Sequence, residues 1–347
     1  MIVPPLDLFA GTGATVSVTG GYFKGNIPGG NGMNGSLSGG YYINSPKSAH
    51  LAANCTIESN DDSTYTYKVV DPNAVPDEPE EPVKLVDTWN LVLDDDLLVN
   101  FCLNLADDAQ VQLTVGSETF TYSASQLTKT DDGKYIASVR LAAAQMTDAI
   151  TIQVVGSEEE AVTYTVRQYA DTVLADSKLS AYHALVKEML NYGGAAQNYF
   201  TYNTENLANA NINDVAAADV PESAQDIIVR DKISTLKFYG ASLVYRDKIA
   251  VRFYFSGSIE GIDFGDYTAT QKEAGLYYVE IADILPQDLD KQITLTATDA
   301  EGNEISVTYS PMNYIVRMNA NGSDSLKALL KALYNYHLAA KALRTAS

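Results

Sequence analysis

Tryptophan, histidine and cysteine are scarce in this sequence, and their scarcity narrows the chemistry open to it. The 347 residues include one Trp, three His and two Cys. Zinc sites need Cys and His ligands at short, regular spacings, and His50, His183 and His337 show no such spacing. Cys55 and Cys102 lie on either side of a predicted linker, so we expect two free thiols. We therefore expect no metal site, no cofactor and no cysteine-based active site.

Basic residues and long apolar runs are also few. The chain has 23 Lys and Arg against 44 Asp and Glu, a formal net charge of −21. Such a chain repels nucleic acid phosphates and anionic membranes, because it lacks the basic patch that both require. No apolar run is long enough to span a bilayer, and residues 1–5 do not start a signal peptide. We expect no nucleic acid partner, no membrane insertion and further sequence before Met1.

An internal repeat is the most informative feature of the sequence. Residues 91–101 align with residues 243–253, and residues 184–196 align with residues 328–340. Shorter matches occur between them in the same order, including Tyr164 with Tyr309. We call residues 85–205 the first repeat and residues 233–347 the second repeat, and we interpret them as two copies of one module.

Within each repeat the apolar period changes from that of a strand to that of a helix. Leu97, Val99 and Phe101 alternate with more polar positions, which is the period of a half-buried strand. Both helical parts begin with capping signals. These are Thr165 with Gln168 in the first repeat, and Ser310 followed by Pro311 in the second.

The last helix of each repeat carries an apolar stripe at helical spacing. The stripe residues are Leu185, Met189, Tyr192 and Ala196 in the first repeat, and Leu329, Leu333, Tyr336 and Ala340 in the second. Because the stripe is repeated and the polar face is not, we expect each helix to pack on the sheet of its own repeat. Gly193 and Gly194 each weaken a helix by about 1 kcal/mol relative to Ala, so we expect a kink there.

The N-terminal part follows another pattern. Residues 16–23 and 35–42 each contain a short strand, a Gly pair and two aromatic residues. Repetition at about one coil length is typical of a parallel β-helix, and a solenoid needs more coils than are visible here. Two segments of altered composition separate the parts: Pro- and Glu-rich residues 71–84, and small, acidic residues 206–232.

These patterns together predict a mainly β protein. Residues 1–70 are predicted to form the C-terminal end of a parallel β-helix with its cap. Residues 85–205 and 233–347 are predicted to form β-sandwich-like modules that each end in amphipathic helices. Residues 71–84 and 206–232 are predicted to be linkers, so that the modules are flexibly or weakly connected.

Several stretches resemble one family of proteins. The run of residues 39–67 resembles the closing segment of β-helical, multi-module cell-surface proteins of anaerobic gut Gram-positive bacteria. Residues 164–171, 185–193 and 238–244 resemble a module repeated in the same proteins. The resemblance covers most of the chain. It implies an extracellular, cell-surface location and a non-catalytic role, and it supplies no binding residues.

Two Gly-rich motifs and one acidic cluster point to other chemistry. Residues 7–13 look like the first motif of S-adenosylmethionine-dependent methyltransferases, and residues 30–35 fit G-x-G-x-x-G. Neither is followed by the helix that such cofactor sites need. Asp94–Asp96 could offer Ca²⁺ ligands, but the second repeat has Arg246 and Lys248 in the same turn. We interpret Asp94–Asp96 as a hairpin turn and keep the methyltransferase as a remote alternative.

Function is predicted mainly from the duplication and the resemblance. We expect a non-catalytic surface module that acts as a spacer or presents a binding surface, with glycans or host or microbial surface proteins as possible partners. The alternative is a carbohydrate-binding accessory module of a polysaccharide-degrading protein. Aromatic side chains can stack on sugars, so Trp89 is the weak candidate for ligand binding. The oligomeric state has no signal in the sequence.

Limited proteolysis tests the predicted domain map. The Pro- and Glu-rich composition of residues 71–83 disfavours a packed core, so a protease should cut there first. Mass spectrometry of the early fragments should recover an intact C-terminal piece. Protection of this segment together with first cuts inside residues 90–200 would contradict the map.

Overall fold

The computed structural model describes residues 15–23, 34–72, 84–93, 97–157, 160–210, 212, 218–246 and 248–346. The chain divides into two compact units, Met1–Pro82 and Val83–Ser347. The fold is mainly β, as predicted, with several separate sheets. In the part of the chain that is described, no sheet closes into a barrel.

The first unit is built from six short strands. They are β1 (Thr15–Val18), β2 (Tyr22–Phe23), β3 (Asn34–Leu37), β4 (Tyr41–Tyr42), β5 (Thr56–Ser59) and β6 (Tyr67–Val70). β1 pairs with β3, and β2 pairs with β4, both in parallel. β6 then lies antiparallel between β4 and β5. A small core of Val18, Leu37, Tyr42, Cys55 and Val69 holds the unit together.

The first repeat forms two antiparallel four-stranded sheets. Its strands are β7 (Val86–Leu93), β8 (Leu97–Leu103), β9 (Gln110–Val115), β10 (Glu118–Ser123), β11 (Thr128–Lys129), β12 (Tyr135–Leu141), β13 (Ile150–Val154) and β14 (Val162–Tyr164). The strand orders are β11-β12-β8-β7 and β10-β9-β13-β14. Val99, Phe101 and Leu103 are fully buried, as their alternation predicts.

The second repeat has two sheets of four and three strands. Its strands are β15 (Ile228–Asp231), β16 (Leu236–Val244), β17 (Ala250–Gly257), β18 (Ala269–Glu273), β19 (Leu276–Ile281), β20 (Ile293–Thr298) and β21 (Glu304–Tyr309). The order β16-β17-β19-β18 mirrors β7-β8-β12-β11 of the first repeat. The other sheet has the order β15-β21-β20, and its edge strand β15 has no counterpart among the described strands of the first repeat. The β9–β10 hairpin of the first repeat is reduced there to a bridge between Asp263 and Thr298.

Two helices follow the sheets of each repeat. They are α1 (Val166–Ala175) and α2 (His183–Phe200) in the first repeat, and α3 (Pro311–Asn321) and α4 (Asp324–Ala346) in the second. The predicted capping box is confirmed, since the Gln168 N–H donates to Thr165 Oγ1 at 3.0 Å and the Thr165 N–H donates to Gln168 Oε1 at 2.9 Å. α3 begins at Pro311, directly after Ser310, as predicted.

The two final helices pack against each other across the repeats. Tyr192 of α2 stacks on Tyr336 of α4, with ring centroids 6.0 Å apart and an interplanar angle of 14°. The Tyr192 hydroxyl donates to the Tyr245 carbonyl at 3.0 Å. Tyr192 and Tyr336 occupy equivalent positions of the two repeats, so the contact joins equivalent residues of α2 and α4. The sequence pattern predicted packing of each helix on the sheet of its own repeat and did not predict this contact between the helices.

Gly193 and Gly194 allow a close approach to helix α2, and the kink expected there stays a prediction. Helix α2 runs unbroken through both residues. A Cβ at Gly193 would lie 2.6 Å from the Met146 sulfur, and one at Gly194 would lie 2.1 Å from Asn209 Oδ1. Both distances are shorter than van der Waals contact, so a larger residue at either position would require these neighbours to shift.

The predicted linker of residues 206–232 is too long at both ends. Ala208 is fully buried, and its N–H donates to the buried Gln197 side chain at 2.7 Å. At the other end, β15 pairs with β21. The Asn335 amide accepts from the Ala218 N–H at 2.7 Å and donates to the Ala218 carbonyl at 3.2 Å. Side chains of α2 and α4 thus form hydrogen bonds with the backbone of residues 206–232, and such bonds cannot be predicted from composition.

The prediction that the two repeats are flexibly or weakly connected is also wrong. Their buried residues form one continuous hydrophobic core within the unit Val83–Ser347. Around the Tyr192–Tyr336 stack, Tyr245 of the second repeat contacts the rings of Tyr199 and Phe200 at 5.9 and 6.3 Å. The aromatic contacts make the second unit one body rather than two independent modules.

Substitution of Tyr192 tests this contact. Tyr192→Ala removes a buried ring and should lower the free energy of unfolding by about 3 kcal/mol. Tyr192→Phe removes only the hydrogen bond to Tyr245 and should cost about 1 kcal/mol. Urea unfolding measures both values, and Tyr182→Ala, at a ring that is 47% exposed, is the matched control. An alanine variant no less stable than the phenylalanine variant would contradict the role of the stack.

Candidate functional site

The outer face of the sheet β16-β17-β19-β18 carries an aromatic surface. Tyr254 of β17 pairs with Tyr278 of β19, and their rings lie 5.9 Å apart at an angle of 50°. Gly240 of β16 lies on the other side of Tyr254 in the same register row. Tyr239 is the bulged residue next to Gly240 and is 71% exposed. We call Tyr239, Tyr254 and Tyr278, with Arg252 and Lys272, the tyrosine face.

Two cations lie over the rings of the tyrosine face. The Arg252 guanidinium carbon is 4.6 Å from the centroid of Tyr278, and Lys272 Nζ is 5.0 Å from the centroid of Tyr254. Lys272 occupies the second bulge of this sheet, between Gln271 and Glu273. Bulges redirect side chains and are frequent beside binding sites. Here both bulges border the same pair of tyrosines.

Glu280 fixes the position of Arg252. Its carboxylate accepts from Arg252 Nε at 2.7 Å and also pairs with Lys248 Nζ at 2.8 Å. Partial burial of Glu280 raises the pKa of the carboxyl, but hydrogen bonds from the two cations outweigh it and leave the pKa below its usual value. The carboxylate is thus ionised at neutral pH and holds Arg252 against Tyr278.

A cleft lies between the repeats, close to their aromatic contacts. It encloses about 460 Å³ and is lined by Arg140 and Tyr202 of the first repeat and by Arg246 and Lys248 of the second. The Tyr202 hydroxyl donates to the Asp148 carboxylate, and this bond raises the pKa of Tyr202. The Arg246 guanidinium lies 5.6 Å from the centroid of Phe200. The cleft exists only because the repeats are docked.

A second exposed aromatic surface belongs to the first unit. Tyr22 and Tyr41 face each other in the parallel pair β2–β4, and their rings stack at 5.0 Å and 14°. Tyr65 meets Tyr22 edge to face at 5.0 Å. Tyr22 is 66% exposed, but one of its faces is occupied by Tyr41. Stacking between successive parallel strands accounts for these contacts.

Trp89, the residue predicted for ligand binding, points towards the core. It lies opposite Phe101 in the β7–β8 pair and is half-buried. Its ring contacts Phe101, Tyr164 and Tyr169 at centroid distances of 5.9, 4.9 and 5.1 Å. These contacts give Trp89 a packing role, and its ligand-binding role stays a prediction. The tyrosine face was missed because its residues are far apart in sequence.

The other sequence candidates are scattered or lie outside the described residues. Residues 7–13 and Asp94–Asp96 lie outside them, and Asn34 and Gly35 of the G-x-G-x-x-G motif begin β3, a strand. Cys55 is buried in the first unit and Cys102 lies on β8, and both are free thiols. Among the described residues, no group of three His, Cys, Asp or Glu side chains is arranged to hold a metal. None of the described helices is both long and apolar enough to cross a membrane.

His337 is the most deeply buried histidine. It is 2% exposed, its Nδ1 lies 2.8 Å from the Pro286 carbonyl, and its Nε2 lies 4.0 Å from Asp290 Oδ1. Burial lowers the pKa of His337 and outweighs the opposing effects of the Pro286 carbonyl and Asp290. Asp290 is already paired with Lys341. This arrangement anchors α4 to the loop before β20 rather than presenting the imidazole to a ligand.

No protein-family model matches the sequence, and no curated protein matches it at a significant level.

The burial of His337 predicts a pH effect on stability. Its pKa is lower in the folded chain than in the unfolded chain, so the unfolded state takes up the proton first as the pH falls below about 6.5. Stability from this residue is thus present above that pH and lost below it. His337→Gln keeps a donor for Pro286 but cannot titrate, so its melting temperature should fall less than that of the wild type between pH 7 and pH 5. His183→Gln is the control, and parallel curves for His337→Gln and the wild type would contradict the prediction.

Proposed function

We propose that the chain is a non-catalytic, extracellular module of a cell-surface protein, which spaces and presents a binding surface. In this proposal, residues 1–70 are the closing end of a parallel β-helix, and the two repeats are copies of a β-sandwich-like module. The observation that carries the proposal is the docking of α2 on α4, which joins two similarly built repeats into one body. A rigid pair of repeats adds length and holds exposed surfaces at fixed positions.

Three observations support the individual parts of this proposal. The parallel pairs β1–β3 and β2–β4 have the pairing that successive coils of a β-helix make. The matching strand order of the two repeats is expected of a duplicated module. The strong negative charge suits a solvated surface. Duplication also multiplies weak contacts through effective concentration, whereas one catalytic site gains little from a second copy.

The alternative is a carbohydrate-binding accessory module of a polysaccharide-degrading protein. The tyrosine face favours it, because exposed aromatic rings beside polar groups are the usual means of recognising sugars. Both versions of the proposal are non-catalytic. They differ in whether a glycan is bound, and the methyltransferase stays a remote alternative.

Binding and turnover measured on the same sample test the proposed function. The full chain is run by affinity electrophoresis through gels containing soluble polysaccharides, with heat-unfolded chain as the control. The carbohydrate alternative predicts retardation by at least one polysaccharide, and both versions predict no release of reducing ends from any of them. Passage through every gel without retardation would reject the carbohydrate alternative and leave the spacer role.

A second measurement addresses catalysis and location. Release of reducing ends, or methyl transfer from S-adenosylmethionine, would overturn the non-catalytic role. Protease treatment of intact source cells should remove the chain from the cell surface, because the proposal places it outside the membrane. A chain that resists protease in intact cells and is cut after lysis would reject the extracellular location.

A further inference from the structure

The two repeats provide an internal comparison for the tyrosine face. One register row of the first repeat contains Thr88, Cys102, Ile136 and Thr128 on its four strands. The corresponding row of the second repeat contains Gly240, Tyr254, Tyr278 and Thr270. The edge bulge is also shared: Asp87 is the bulged residue in the first repeat and Tyr239 in the second. The backbone frame is therefore the same in both.

The frame does not require tyrosine at any of these positions. The three tyrosines of the second repeat correspond to Asp87, Cys102 and Ile136 in the first, and that sheet pairs equally well. Asp87 forms an ion pair with Lys134 at 2.9 Å, whereas Tyr239 extends into solvent. Two aromatic side chains of one row and a third in the adjoining bulge are thus gathered in one repeat, where folding alone does not explain them.

The shape around the row fits a flat ring. Apart from its two neighbours in the chain, no residue has a heavy atom within 4 Å of the position where a Cβ on Gly240 would stand, so the space above Gly240 beside Tyr254 is open. Tyr254 and Tyr278 form a half-buried floor, and Tyr239 borders it from the edge strand. A pyranose ring presents C–H groups on its faces, and aromatic faces carry negative charge density that attracts them.

The charges on the face indicate which sugars fit. In a chain with a net charge of −21, the cations Arg252 and Lys272 lie directly over the two floor rings. Arg252 is held by Glu280, but Lys272 stands on a flexible stem at the edge of the floor. Displacing such an exposed cation from a ring costs less than about tenfold in affinity, and the displaced ammonium stays near enough to pair with a carboxylate.

We propose that the tyrosine face binds a carboxylated glycan, of which one pyranose ring stacks on Tyr254 beside Tyr239, while its carboxylates face Lys272 and the Arg252 that lies over Tyr278. This inference rests on the carbohydrate-binding form of the proposed function and names its site and ligand class. The first repeat, with the same frame and no aromatic row, has no such site.

Two oligosaccharide probes and two variants test the site, and every measurement uses the full chain. The probes are an oligogalacturonate and the same oligosaccharide with its carboxylates reduced to primary alcohols, and binding is measured by isothermal titration calorimetry. The variants are Tyr254→Ser and Tyr278→Ile, which install residues like those that the first repeat carries on the same frame. Tyr182→Ala, at an exposed tyrosine of the first repeat, is the matched control, and circular dichroism verifies folding.

We expect the wild type and Tyr182→Ala to bind the acidic oligosaccharide equally, and each variant of the face to bind it about three- to tenfold more weakly. Lys272→Gln should reduce affinity for the acidic probe only, and added salt should weaken it. Equal binding of the reduced probe would overturn the assignment of a carboxylated ligand.

The outcomes separate the site from the function on which it rests. If the wild type binds neither oligosaccharide, nor any glycan of an array that includes other uronate and sialylated chains, both the carbohydrate function and the site are rejected. If the wild type binds and the tyrosine variants bind equally well, the carbohydrate function stands and the tyrosine face is rejected as its site.

Discussion

The stacking of Tyr192 on Tyr336 is the contact on which the organisation of the second unit depends. Both rings are buried, and burial raises the pKa of both hydroxyls, so they stay neutral at physiological pH. The two residues occupy equivalent positions, so the contact joins the same site of both repeats. Here the two partners belong to one chain, so no association entropy opposes the contact beyond closure of the connecting segment.

Docking of the helices has consequences on both sides of the contact. It brings Arg140 and Tyr202 of the first repeat near Arg246 and Lys248 of the second, and so creates the cleft. It leaves the outer face of β16-β17-β19-β18 with Tyr239 largely exposed. The two repeats thus share a strand order in one sheet but carry different residues on the surface of that sheet.

Much of the fold could be predicted from local patterns. The period of Val99, Phe101 and Leu103 identified a buried strand face, and the side chains of Thr165 and Gln168 form the capping box that their spacing indicated. Tyr192 and Tyr336 were correctly placed in the core. The predicted linker of residues 206–232 was too long because the Gln197 and Asn335 side chains bind backbone groups of this segment, and such bonds cannot be read from composition. The candidate site was barely predictable, since Trp89 packs among other rings.

The sequence by itself predicted the mainly β fold and the helices at the end of each repeat, because these depend on periodicity and capping between near neighbours. Only the tertiary structure decided which surface each aromatic residue serves. Tyr239, Tyr254 and Tyr278 meet on one face because three strands pair in a particular register and a bulge turns Tyr239 outward. Gly193 and Gly194, which suggested a weak point in a helix, instead allow Met146 and Asn209 to approach it. Register, bulges and close approach are set by the whole fold, since each joins residues that are distant along the chain.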